Sequence, residues 1–145
     1  MSTAVVTGAS SGIGRAYAQR LAADGHDLVL VARRRNRLVE LAKALEAEHG
    51  TFVEPVTTNL ADPDAVAALA DRLSSSPPDL LVNNAGLAHY MPFAELPPEQ
   101  ARELIDVNVT APVLLARAAL PGMLARTTRS GSIRGTALRS RPCRE

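Results

Sequence analysis

Thr3-Ala4-Val5-Val6-Thr7-Gly8-Ala9-Ser10-Ser11-Gly12-Ile13-Gly14 is the stretch that decides the fold. Its first five residues form a short apolar run, which suits a buried strand. The glycines that follow let the backbone turn sharply and leave room for a pyrophosphate at the start of a helix. Free N–H groups and the helix dipole favour an anion there, the dipole contributing about 0.3–1 kcal/mol. A glycine pattern alone is weak, because any tight strand-to-helix turn can use one. Its position between a strand and a helix is what gives it weight.

Working outward, residues 12–24 read as a helix with Tyr17, Ala18 and Leu21 on one face and Gly25 as its stop. Residues 27–32 are continuously apolar, as in a parallel strand covered on both faces. Residues 34–48 place Leu38, Leu41, Ala42 and Leu45 at helical spacing before Gly50. Residues 51–57 read as a third strand, and Pro55 assigns it to an edge because proline cannot donate to a ladder. Asp62-Pro63 has the cap-then-proline order of a helix start, and that helix is expected to reach about Leu73. A linker at 74–78 leads to a fourth strand at 79–83. Pro97-Pro98 opens a long helical stretch from about 99 to 126, with bends expected at Pro112 and near Pro121-Gly122. Short apolar strands alternating with helices point to an α/β fold, a doubly wound parallel sheet in three αβα layers.

The 145 residues suit one domain, and 46% apolar composition excludes a disordered chain. No apolar run approaches the roughly 20 residues of a bilayer span. No signal-peptide pattern opens the chain, so a cytoplasmic location without a membrane partner is expected. Cys143 is the only cysteine and offers neither an internal disulfide nor a metal motif. The net charge of +1 is unevenly spread: residues 126–145 hold six arginines and one acidic side chain. That tail lacks interleaved aromatics and any helical or strand period, so nucleic acid is not an expected partner.

Asn83-Asn84-Ala85-Gly86 follows the fourth strand directly. Taken with the Thr7–Gly14 loop, this resembles the short-chain dehydrogenase/reductase family over residues 1 to about 125. The resemblance implies a Rossmann-like NAD(P)-binding domain over 1–125, incomplete on its C-terminal side, followed by an irregular basic tail over 126–145. It implies cofactor contacts at Gly8, Ser10, Ser11, Gly12, Ile13 and Gly14 in the loop, and at Asn84, Ala85 and Gly86 after the fourth strand. Asn59-Leu60 matches the position that contacts adenine, although the family more often has aspartate where Asn59 stands. Asn108, within Asp106-Val107-Asn108-Val109, matches an asparagine that helps to hold a water in the family's proton relay. Taken alone, Asn108 reads as a kink residue inside a helix.

The end of the second strand selects the cofactor. An acidic residue there would accept from a ribose 2′-hydroxyl and repel a 2′-phosphate. This chain has Ala32-Arg33-Arg34-Arg35. Arginine forks pair with phosphate, so NADP(H) is expected over NAD(H), with Arg33 the first candidate. The competing reading is a solvated basic helix start, which the helix dipole would mildly disfavour.

The family's Tyr-x-x-x-Lys pair, in which the lysine lowers the tyrosine's pKa, is not found in these 145 residues. The only lysine, Lys43, has Val39 four residues before it; Tyr17 and Tyr90 are followed by Leu21 and Ala94. Gly131-Ser132-Ile133 resembles the start of a fifth strand, but an Arg-rich segment follows in place of the expected apolar strand and serine. Fifteen of the sixteen basic residues are arginine, as in proteins from GC-rich genes. A frameshift or truncation after about residue 126 is therefore expected.

Three readings follow. The first is an NADP-dependent oxidoreductase by descent, moving a hydride between nicotinamide and an alcohol or carbonyl substrate. The second is a non-catalytic NADP-binding fragment or pseudoenzyme. The third, a methyltransferase-like dinucleotide fold, is disfavoured by Asn83–Gly86 and by the basic end of the second strand. His89 and Tyr90 fall near the expected pocket mouth, although residues so placed more often serve as loop packing. Val113, Leu114, Leu115, Ala118 and Leu120 are expected to lie uncovered, which points to a homo-oligomer or to aggregation.

Overall fold

The computed structural model describes residues 2–130, with side chains through Arg126. Four strands, β1 (Thr3–Thr7), β2 (Asp27–Ala32), β3 (Val53–Thr57) and β4 (Leu80–Val82), form one parallel sheet in the order β3-β2-β1-β4. Between them run α1 (Gly12–Ala23), α2 (Arg35–His49) and α3 (Pro63–Ser75). After β4 come a short 3-10 turn at Phe93–Glu95, then α4 (Pro98–Ile105), a π-helical turn at Asp106–Thr110 and α5 (Ala111–Ser130).

Alternation along the strands builds two cores, because successive strand residues point to opposite faces. Ala4, Val6, Leu28 and Leu30 pack with Ala18, Leu21, Leu38 and Leu45 of α1 and α2. Val5, Val29 and Val31 pack on the other side with Val66, Leu69 and Leu73 of α3 and with Val107, Ala111, Leu115 and Ala119 of the long helix. This is the expected three-layer doubly wound arrangement. Pro55 stands on the edge strand as its missing N–H requires, opposite Leu30. The α3 start is capped as expected: the Asp62 carboxylate accepts from the Asp64 N–H at 3.0 Å, and Pro63 occupies the first turn.

Several expectations need correction. Tyr17 is 43% exposed and leaves the core face of α1 to Ala18, Leu21 and Ala22. Thr51 and Phe52 precede β3, and the Phe52 carbonyl accepts from the Leu28 N–H at 2.8 Å without joining the strand. The bend expected at Pro112 is taken up by the π turn just before it. Proline has no N–H for the Asn108 carbonyl and its ring crowds that carbonyl, so the helix widens there. The chain stays helical through Pro121-Gly122, where a side chain on Gly122 would collide with the Pro77 ring. The helix also runs to Ser130, past the tail boundary expected at 126. The expectations for 131–145, including the fifth-strand start and the out-of-frame tail, lie outside the described residues.

The stretch Pro98–Arg126 reaches 29 residues and a mean hydropathy of 1.4 over its best window, enough by length and composition to cross a bilayer. The sequence reading expected no such segment. The same composition suits a helix lying on a sheet, and Val107, Ala111, Leu115 and Ala119 show this one doing so.

Candidate cofactor site

The chain leaves β3 at one edge of the sheet and re-enters at β4, on the far side of β1. Helices therefore depart to opposite faces from β1 and β4, and their loops part above the strand ends. Open α/β sheets hold ligands at this crossover. A cleft of about 290 Å³ opens there.

The floor of the cleft is built around Thr7. Its hydroxyl donates to the Val82 carbonyl at 3.3 Å and accepts from the Asn84 and Ala85 N–H groups at 3.0 and 3.1 Å. Asn84 reciprocates, its amide donating to the Thr7 carbonyl at 3.2 Å and reaching the Gly8 carbonyl at 3.5 Å. The two loops are thus one unit. Gly8 has φ +68°, a left-handed conformation, and a Cβ there would lie 2.8 Å from the Ala85 Cα. A side chain on Gly14 would strike both the Asn84 amide and the Gly8 carbonyl. Gly8 and Gly14 therefore serve close approach of the two loops, whereas Gly12 faces open space.

Ten of the twelve expected cofactor residues line this cleft. Gly8, Ser10, Ser11 and Ile13 come from the first loop, Arg33 from the end of β2, and Asn59 with Leu60 from the loop after β3. Asn84, Ala85 and Gly86 complete the set. Gly14 lies buried beneath the loop, and Gly12 faces a neighbouring groove beside Arg15 and Arg37. Ile13 is 69% exposed although it heads a helix. An apolar side chain left open beside a cleft is suited to cover a ligand.

The end of the cleft beside β2 carries two arginines. The Arg34 guanidinium donates to the Ser11 hydroxyl at 3.0 Å, bringing it onto the glycine loop. The Arg33 guanidinium lies 3.6 Å from the Glu103 carboxylate of α4. Sequence reasoning ranked Arg33 first. The structure gives Arg34 an equal place, and Arg35 is taken up by the start of α2. Asn59 uses its side-chain oxygen to accept from the Ala61 N–H at 3.2 Å, which leaves its NH₂ free to donate.

Asn108 sits in the π turn. Its side-chain oxygen accepts from the Leu87 N–H at 3.0 Å and its NH₂ donates to the Leu87 carbonyl at 2.8 Å. This pair of bonds fixes the loop after Gly86 against the long helix, so the visible role of the side chain is to position that loop. Asn108 lies within that π turn, the irregular part of the long helix. Asn83 ties the same loop to the helix, donating to the Pro112 carbonyl at 3.2 Å.

Ala32, Thr58, Leu87 and Val107 also line the cleft and were not anticipated. Thr58 and Leu87 each stand next to an anticipated residue, but no local pattern marks them. Val107 lies in the π turn, packs in the core and borders the cleft. His89 and Tyr90 do not line the cleft. His89 lies 3.7 Å from Glu103, and Tyr90 is 99% exposed.

A crossover cleft fed by a glycine loop at a helix start defines a dinucleotide-binding α/β protein. The family model for short chain dehydrogenases matches residues 2–135, and the chain belongs to that family. The match runs through Gly131-Ser132-Ile133, further than the motifs alone carried the resemblance. A short chain dehydrogenase of Pseudocercospora fijiensis is 38% identical over 135 residues, covering 90% of this chain and 43% of that protein. A short-chain dehydrogenase from Sphingobium yanoikuyae, solved in complex with NADPH, is 43% identical with a TM-score of 0.83, covering 91% of this chain and 50% of its own. L-sorbose reductase from Gluconobacter frateurii, solved with NADPH and L-sorbose, is 41% identical with a TM-score of 0.79, covering 86% and 48%. The chain thus spans about half the length of these solved structures, and less than half of the curated relative.

Proposed function

We propose that this chain is the cofactor-binding part of an NADP(H)-dependent oxidoreductase that moves a hydride between nicotinamide and an alcohol or carbonyl substrate. The observation that carries the cofactor choice is the pair Arg33 and Arg34 at the adenosine end of the cleft, where an acidic strand end would select NAD(H). Bound NADPH in the Sphingobium and Gluconobacter structures supports the same reading. Bound NADP(H) supplies or accepts the hydride. The chain's own residues would bind and orient it: backbone N–H groups at the start of α1 would hold the pyrophosphate, Asn59 and Leu60 the adenine, and Arg33 with Arg34 the 2′-phosphate. The Thr7–Asn84 bonds hold the two loops at a fixed separation.

The 145 residues contain no Tyr-x-x-x-Lys pair to move the proton that accompanies hydride transfer. We therefore expect a polypeptide of these residues to bind NADPH without turnover, as a non-catalytic fragment would. Calorimetric titration with NADPH and NADH tests the cofactor choice. NADPH should bind more tightly, and Arg33→Ala and Arg34→Ala should each weaken NADPH by about tenfold or more while leaving NADH in place. Equal affinity for both cofactors would overturn the assignment. Steady consumption of NADPH with a generic ketone would overturn the expectation of no turnover.

A further inference from the structure

Glu103 was singled out by no motif, yet it stands between the Arg33 guanidinium and the His89 imidazole. One carboxylate oxygen lies 3.6 Å from Arg33 Nη1 and the other 3.7 Å from His89 Nε2. The Arg33 contact is single and longer than a hydrogen bond, and the side chain is 63% exposed, so it is held loosely and can turn. Glu103 itself is only 30% exposed and fixed on α4. His89 Nε2 is enclosed and has no hydrogen-bond partner among the described residues.

We infer that Glu103 is a specificity-determining residue that competes with a 2′-phosphate for Arg33 and so limits the preference of the cleft for phosphorylated dinucleotides. The inference rests on the cofactor reading above and deepens it. A phosphate at the β2 end places negative charge on the guanidinium that Glu103 now neutralises, and the carboxylate repels the incoming group. Once Arg33 turns to the phosphate, Glu103 keeps His89 as its neighbour. A dinucleotide without the 2′-phosphate makes no claim on Arg33 and does not register the competition. Because the Arg33 side chain is largely exposed, the effect is modest, about two- to fivefold in affinity.

The test titrates the full chain and its Glu103→Gln variant with NADPH and with NADH, at low salt and at high salt. E103Q should bind NADPH about two- to fivefold more tightly at low salt, with NADH unmoved and the gap closing as salt screens the charges. In an Arg33→Ala background the same substitution should lose most of its effect, leaving only the direct repulsion between carboxylate and phosphate. Glu103→Asp, which withdraws the charge by one methylene, should fall between wild type and E103Q and serves if E103Q does not fold. Weaker NADPH binding in E103Q, an equal change for NADH, or an effect undiminished in Arg33→Ala would each overturn the inference. A wild type that shows no NADPH preference would defeat the cofactor reading itself; a clear preference with a silent E103Q would defeat only the role of Glu103.

Discussion

The two faces of the long helix differ more than their compositions suggest. Toward the sheet, Val107, Ala111, Leu115 and Ala119 are all nearly or fully buried, and the small residues among them let α5 approach α3 closely. Away from it, Ile105, Val109, Val113, Leu114, Leu120 and Leu124 are exposed. Of the five residues expected to lie uncovered, Val113, Leu114 and Leu120 are exposed, whereas Leu115 is fully buried and Ala118 packs against the core. Helical spacing marks both faces as apolar. Which of them forms core depends on where β4 delivers the chain.

The largest effect that would break this comparison is at Leu115. Leu115→Ala should cost about 2–5 kcal/mol in urea unfolding, whereas Val113→Ala should stay within about 0.5 kcal/mol. Equal losses would mean that the assigned faces are wrong. Next comes the cleft, whose glycines are packed as tightly as the inner helix face. Gly14→Ala should cost about 1–3 kcal/mol and abolish NADPH binding, because the Asn84 amide and the Gly8 carbonyl must both give way. Binding that survives with normal melting would show that the two loops are not one unit.

A smaller effect is expected at the β3 edge. Arg72 of α3 pairs with Glu54 through both guanidinium nitrogens, one of them at 2.8 Å. That hydrogen-bonded pairing holds the Glu54 carboxyl below the usual carboxylate range, with burial working in the opposite direction. A depressed carboxyl stabilises the fold above its unfolded pKa of about 4.3, and this contribution is lost as pH falls through the lower folded value. Both side chains are more than a third exposed, so Glu54→Gln should cost less than about 1 kcal/mol at pH 7. The difference from wild type should vanish in acid; a gap that stays constant down to pH 2 would contradict the pairing. The smallest stability change is expected for Val113→Gln combined with Leu120→Gln. Melting should hardly move, while light scattering should show less self-association if the outer face is what brings chains together. Unchanged scattering would point to another surface.

Local patterns carried most of the fold. Strand alternation, the Asp62-Pro63 cap and the edge proline at 55 all act within a few residues, and the structure kept each of them. Local patterns failed where a distant partner decided the outcome. Tyr17 had the right spacing for the core, but smaller neighbours filled the space against the sheet. Pro112 signalled a bend, yet the form it took was a π turn that aims Val107 at the cleft and Asn108 at Leu87. Among the arginines, chain position favoured Arg33, and only the reach of Arg34 to Ser11 placed the second one.

By itself the sequence determined that a glycine turn would join a buried strand to a helix, that the sheet would be parallel, and that Tyr-x-x-x-Lys is not among these residues. Those properties follow from backbone freedom, side-chain period and residue identity, which need no distant partner. The tertiary structure alone decided that Thr7 would bind two loops together, that one face of the long helix would be core, and that Glu103 would meet Arg33. Each of those contacts joins residues far apart in the chain, and only the crossover of the sheet sets the distance between them.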